Sequence, residues 1–286
     1  MLMSIRNLCC NILTAPGKIK SFALLALLAG FFFIASGDPH FEGDYSVIIR
    51  KNGFCIAYSP EIRQAGCTCY ILTSSQVKAK KVRRTNKFMH DPDVSVDAVR
   101  PEEYNGTGFD RGHLVPASDM SYSYSSMRDS FYMSNISPQV PACNRGIWKK
   151  LESQIRKWAV KEKKIMIITG PVIPSDRKQM NDTRIVIPSA FFKIVYDTTA
   201  PRKMIGFIIP NQGSRKSLKE FAVPVREIEK VTGYNFFATK EFEKVAHLET
   251  HINCDDWDFD TPAVYRKKGK KRKSKSTSGA FSERVK

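Results

Sequence analysis

The sequence predicts an α+β domain, with a central, mostly antiparallel sheet flanked by helices. Short runs rich in β-branched and aromatic residues, bounded by Gly, Pro and Asn, occur in two sets. A strongly amphipathic helix stands between the sets, and strands, then a helix, then strands again is the pattern of a sheet covered on its faces. With 42% hydrophobic residues among 286, the chain has ample material for a core, which excludes overall disorder.

Residues 1–37 hold Arg6, Lys18 and Lys20 and no acid, and an uncharged run from 21 to 37 ends in small residues. This reads as a secretory signal cleaved before Asp38 or, if uncleaved, as an N-terminal anchor. Either reading places the body outside the cytoplasm: exported to a periplasmic or extracellular space, or membrane-anchored facing outward. The Leu/Phe block argues against an Arg- and Ser-rich mitochondrial presequence. No other stretch is apolar enough for a membrane, so a polytopic protein is excluded.

The body, residues 38–265, opens with runs at 45–50 and 54–58 around Lys51-Asn52-Gly53, an Asn-Gly hairpin signal. Further strands are expected at 69–73, 164–173, 184–196 and 203–210. Trp148, Leu151, Ile155 and Trp158 recur at helical spacing, with Lys149, Lys150, Arg156 and Lys157 on other faces. Both tryptophans read as core anchors. Helices are also expected at 215–231 and near 239–250.

The net charge is +18, and half of it lies in residues 266–286, which contain ten Lys or Arg and one acid, Glu283. This segment reads as a disordered basic arm for polyanions, either nucleic acid or an anionic envelope surface. Five of the seven Cys follow residue 37, so at most two disulfides form and one thiol is spare. Cys67-Thr-Cys69 is too tight for a metal-binding pair, and His247 with His251 lacks the Glu placement and third ligand of a zinc site.

The chemistry is concentrated between 104 and 152. Asp110-Arg111-Gly112-His113 packs an acid, a cation and an imidazole into four residues. A second polar block carries Asn135, Gln139 and Asn144 and runs into the helix with Glu152. Such clusters between turn residues imply a ligand or a network. A near-neutral His can take a proton from water, and an Arg can hold a phosphate oxygen bidentately. Asn144 offers a hard carbonyl oxygen. On a straight helix begun at 144, Glu152 would sit about 12 Å further along and roughly 80° around, so both could not grip one ion. One protein ligand completed by water suits Mg²⁺.

DRGH at 110–113, SNISPQ at 134–139 and NRGIWKKLE at 144–152 resemble the DNA/RNA non-specific endonuclease family. TGP at 169–171, IPSAFFKIV at 187–195 and IPN at 209–211 follow in the family's order. The resemblance implies a ββα-metal active site and Mg²⁺-dependent cleavage of DNA and RNA to 5′-phosphate and 3′-hydroxyl ends, with Mn²⁺ able to substitute. By position, His113 would be the general base, Asn144 the single metal ligand, and Glu152 the group that orients the metal's waters. Arg111 would contact the scissile phosphate, while Asp110, Asn135 and Gln139 would form a supporting shell. A further phosphate-binding Arg would be Arg83 or Arg84, with Arg84 favoured.

Two rival readings stand beside this one: a nucleic-acid-binding protein without catalysis, and a phosphodiesterase of this fold acting on another ester. Glycosylation sequons occur at Asn105, Asn135 and Asn181; the two inside the catalytic block, Asn105 and Asn135, are expected to be unmodified because a glycan there would obstruct substrate.

Overall fold

A computed structural model describes residues 47–95, 97–237 and 245–259. The leader, the basic tail and residues 239–244 of the expected helix near 239–250 lie outside these residues; His247–Thr250 forms a short helix. Among the described residues no helix is long and apolar enough to cross a membrane.

The expected antiparallel sheet is present, with seven strands in the order β1 (Val47–Lys51), β2 (Phe54–Ser59), β3 (Gln64–Thr73), β6 (Lys164–Val172), β7 (Ala190–Asp197), β8 (Lys203–Pro210) and β9 (Ala222–Val223), while β4 (Asp110–His113) and β5 (Ile136–Gln139) pair separately. β1 (Val47–Lys51) and β2 (Phe54–Ser59) form the hairpin that Asn52-Gly53 announces. Gly53 has a φ of 96°, a backbone region that favours glycine, and Asn52 binds the Asp129 carboxylate through its backbone and side-chain nitrogens.

β3 (Gln64–Thr73) is longer than the expected 69–73. Its first half, QAGCTC, lacks a β-rich run, yet it is buried between β2 and β6. Packing there overrides propensity. β6 (Lys164–Val172), β7 (Ala190–Asp197) and β8 (Lys203–Pro210) complete the centre, and β9 (Ala222–Val223) closes the far edge.

The strand expected from 184 begins instead at Ala190. Before it, Arg184 takes a positive φ of 58° and Val186 makes only an isolated bridge to Gln179. The helix expected at 215–231 is likewise divided. Ser217 and Glu220 cap a single 3₁₀ turn at Leu218–Phe221, β9 intervenes, and the helix starts at Val225, after Pro224. Proline supplies no backbone N–H and suits a helix start, not its interior.

β7 is buried on both faces, which is why it reads as a continuous apolar run. Phe191 and Val195 pack with Trp148, Leu151, Ile155 and Trp158 on one face. Phe192 and Ile194 pack with Val225, Ile228 and Phe236 on the other. The first face carries the long helix Lys149–Lys161, whose Leu151, Ile155 and Trp158 are buried together with Trp148 just before it, both tryptophans at 0% exposure. Residues 254–259 close over this helix. Trp257 lies 4.8 Å from Trp158, and the Asp258 carbonyl accepts from Gln154 and from the Trp158 indole.

Candidate active site

The site is built on a separate two-stranded ribbon, β4 (Asp110–His113) and β5 (Ile136–Gln139), antiparallel and in register Asp110↔Gln139 to His113↔Ile136. Buried side chains tie the ribbon to the main sheet. Ser137 Oγ meets Gln64 Oε1 at 2.5 Å, and Asn211 donates to the Pro138 carbonyl while accepting from Val140 N. Asn211 is the last residue of the IPN motif. Gly112 is needed because Gln139 lies across it: a Cβ there would sit 2.2 Å from Gln139 Oε1. Gln139 is fully buried, and neither end of its amide has a hydrogen-bond partner among the described residues.

His113, at the end of β4, is wedged between Phe88 and Phe131, with ring centroids 5.4 and 4.9 Å away. Its Nε2 has no partner among the described residues. Burial, with the Arg84 charge added, pushes the imidazole down to about 3. The expectation of a His near its ordinary value is therefore corrected: a charged ring in an aromatic slot loses hydration with no carboxylate to replace it. At physiological pH the ring is neutral and able to accept a proton.

Arg84 lies against this slot. Its guanidinium stacks 4.9 Å over Phe131, and its charge acts on both His113 and Glu152. Arg111 anchors one side of its fork on the Pro101 carbonyl (3.1 and 2.7 Å) and Asn105 Oδ1 (2.8 Å), and its charge lies over Phe88. These acceptors are neutral, so no carboxylate consumes the Arg111 charge at these contacts.

Asp110 pairs instead with Arg145, at 2.8 and 2.5 Å, and accepts from Asn144 Nδ2 at 2.8 Å. Burial raises its carboxyl, but these hydrogen bonds outweigh that and hold it below the usual value. With its nitrogen committed to Asp110, the Asn144 amide presents its carbonyl oxygen on the opposite side. Asn144 lies in a π-type turn, Cys143–Trp148, broken at Gly146 (φ −106°, ψ −109°), and the α-helix begins only at Lys149. The straight-helix projection from Asn144 to Glu152 is thus corrected. The two belong to differently oriented segments, and Glu152 stands in the helix's first turn.

Asn135 is a fully buried clamp. Its Oδ1 accepts from Val115 N at 2.9 Å, and its Nδ2 donates to the Val115 and Ser130 carbonyls at 3.0 and 2.9 Å. Such a side chain has no room for a glycan.

Glu152 is pushed up to about 7 by burial, opposed by Lys193 and Arg156, raised further by Asp119 and lowered by Arg84. Several members of this group were not expected from sequence. Asp119 is buried, accepts from Tyr70 at 2.8 Å and pairs with Arg156 at 2.8 Å. Lys193 is fully buried in the middle of β7. Arg156 follows Glu152 by four residues, a helical spacing that was legible; a Lys inside an apolar strand was the available signal for Lys193.

With both Asp110 oxygens engaged by Arg145 and the Asn144 amide, the Asn144 carbonyl oxygen is the hard donor that suits a divalent cation keeping much of its water. Among the described residues no three His, Cys, Asp or Glu side chains converge as a metal cage.

A family model for the DNA/RNA non-specific endonucleases matches residues 36–242. The chain belongs to this family. It is accordingly a nuclease, a hydrolase of a family generally dependent on divalent metal. Nuclease C1 of Cunninghamella echinulata var. echinulata is 31% identical over 235 residues, covering 76% of this chain and 92% of that one. A mitochondrial nuclease of Saccharomyces cerevisiae is 28% identical over 254 residues, covering 80% and 77%. The crystal structure of an EndoG/EndoGI complex superposes with a TM-score of 0.62 at 24% identity, over 68% of this chain and 87% of that one, and shares the fold.

The expectation of export is overturned by these relatives. The yeast nuclease and others from fission yeast to human are named as mitochondrial, which points to that organelle rather than to secretion. Freedom from acids and a basic flank are common to both kinds of leader, so the Leu/Phe block does not decide between them. The anionic envelope surface expected for the tail has no support from these relatives.

Proposed function

We propose that the chain is a Mg²⁺-dependent endonuclease for DNA and RNA, with Mn²⁺ able to substitute. The observation that carries this reading is a neutral imidazole whose Nε2 has no hydrogen-bond partner among the described residues, set between two rings that carry the Arg84 and Arg111 guanidinium groups, at the end of a strand whose Asp110 clamps the Asn144 amide. Asn144 would hold the metal through Oδ1, with Asp110 fixing the amide and Glu152 orienting the surrounding waters. The bound ion would supply Lewis-acid stabilisation of charge developing on phosphate and leaving oxygen.

His113 takes the proton of the attacking water, whose oxygen bonds to phosphorus as the P–O3′ bond breaks; the departing 3′-oxyanion takes a proton from solvent water, leaving a 5′-phosphate and a 3′-hydroxyl. The incoming phosphate anion stabilises imidazolium and raises the basicity of His113 from its low resting value. Arg111 and Arg84 hold non-bridging oxygens and offset the additional negative charge at phosphorus. All these contacts are to phosphate, so cleavage is indifferent to base sequence. Gln139 and Asn135 support the ribbon. Residues 38–265 form the catalytic domain, and the tail 266–286 is a polyanion-binding arm.

The test is cleavage of supercoiled plasmid and structured RNA by wild type, His113→Ala and Asn144→Ala, with Mg²⁺, with Mn²⁺ and with chelator. Cleavage that needs both metal and His113, with a weakened Mg²⁺ titration in Asn144→Ala, is the expected result. Wild-type turnover from His113→Ala removes the base assignment. DNA binding without cleavage under any divalent ion restores the non-catalytic reading. Organelle fractionation tests the mitochondrial address.

A further inference from the structure

One wall of the His113 slot continues into a cleft that the chemistry above does not use. Phe131, which faces the imidazole, packs in one apolar cluster with Ala117 and Met127, and Val82 and Phe88 lie against that cluster. Val82, Ala117 and Met127 also line a cleft of about 210 Å³. Arg84 stands where slot and cleft meet: it lines the cleft, and its guanidinium stacks 4.9 Å over Phe131. Lys81 lines the same cleft.

Charge and chemistry select the occupant. Arg84 donates to Asn86 Oδ1 at 2.7 Å and Lys81 to the Gln76 carbonyl at 3.1 Å, and both acceptors are neutral. Among the described residues neither cation makes an ion pair, and no carboxylate lines the cleft. Two uncompensated cations attract a polyanion. The apolar lining between them suits the flat face of a base, and a Met sulfur packs favourably against an aromatic ring. The walls are tied together: Val82 N donates to the Ser121 carbonyl at 2.9 Å, and Ser121 Oγ donates to the Ser118 carbonyl at 2.7 Å. The side chains of Val82, Ala117 and Met127 carry no hydrogen-bonding group that could tell one base from another.

We propose that this cleft is a nucleoside subsite, which takes the base and sugar of the nucleotide on the Arg84 side of the scissile phosphate. It requires a base there without reading which base it is. The proposal rests on the reading of the chain as an endonuclease with Arg84 on that phosphate.

The test uses single strands with one ordinary phosphodiester among phosphorothioate linkages. The nucleotide on its 5′ side, on its 3′ side, or on neither is made abasic. With wild-type protein and Mg²⁺, an abasic nucleotide on one side should lower kcat/KM about tenfold, and one on the other side should leave it near that of the intact strand. Exchanging the base at the sensitive position should change the rate by less than about threefold. Ser118 is an exposed residue of the lining, and Ser118→Trp sets an indole into the cleft. The ratio of intact to abasic rates should then fall from about tenfold to near one.

Equal rates on all three strands, equal losses on both sides, or a ratio that Ser118→Trp leaves unchanged overturns the proposal. A cleft that receives only backbone, or that another part of this chain covers, gives equal rates. The wild-type comparison decides alone if Ser118→Trp does not fold. Plasmid nicking by the same wild-type protein separates the two levels. Nicking together with equal rates refutes the subsite alone, whereas no cleavage of plasmid or strand refutes the nuclease reading beneath it.

Discussion

Replacing Asn135 with Ala should uncouple the catalytic ribbon from its support, and the size of the effect follows from the three hydrogen bonds lost. The Val115 N–H, the Val115 carbonyl and the Ser130 carbonyl each lose their amide partner in a site at 0% exposure. An unsatisfied buried polar group costs about 1–3 kcal/mol; with partial relaxation of the site the three together amount to roughly 3–6 kcal/mol. For a domain of this size that corresponds to a fall in melting temperature of about 10 °C or more. Because Leu114 and Val115 follow His113 directly, cleavage should fall as well, while the Mg²⁺ half-saturation remains near that of wild type. The assay is differential scanning calorimetry alongside plasmid nicking at several Mg²⁺ concentrations. A melting temperature within about 2 °C of wild type, together with lost cleavage, would refute the clamp and make Asn135 a direct substrate contact.

Asp110→Asn should raise the Mg²⁺ concentration for half-maximal cleavage about tenfold, since the clamp on the Asn144 amide is weakened; an unchanged titration removes Asp110 from metal positioning. Because its folded-state carboxyl is held below the usual value, the Asp110 contribution is present at neutral pH and disappears only as pH falls through that lowered value. Gly112→Ala should lower stability in urea unfolding by about 2 kcal/mol, because the new Cβ meets the buried Gln139 side chain; a wild-type urea midpoint overturns that close approach. His113 is depressed in the fold to about 3. Its contribution to stability is therefore complete above about 6.5, its unfolded value, and is lost on acidification below that at about 1.4 kcal/mol per pH unit. His113→Ala should flatten this slope in urea midpoints measured from pH 7 to pH 4, and an identical slope in both proteins counts against the buried neutral ring.

The parts of the molecule legible in sequence are those where one local rule dominates. Trp148, Leu151, Ile155 and Trp158 obey a single period, and all are buried. Asn52-Gly53 dictates its turn, and β7 is a buried apolar run. The rule is weaker where neighbours decide. Gln64 to Cys69 become strand because β2 and β6 enclose them, and Pro224 breaks a stretch whose composition suits a helix.

The site divides in the same way. DRGH and NRGIWKKLE mark the candidate site because their residues are close in sequence. The buried charges beneath them come from β3, the loop at Asp119 and β7, and sequence distance conceals their meeting. The fall in His113 basicity was equally unreadable, because it depends on Phe88 and Phe131 closing around the ring.

The ribbon that carries His113 has a dynamic consequence. A two-stranded ribbon alone is marginal in water, yet this one is fastened to the main sheet through Gln64 of β3 and Asn211 just after β8, and the chain leaving it through Lys193 of β7. Its amides should exchange with solvent only when those strands open. A nuclease built in this way keeps its active site intact until the whole domain lets go, and partial melting yields few intermediates that could cut nucleic acid with relaxed control.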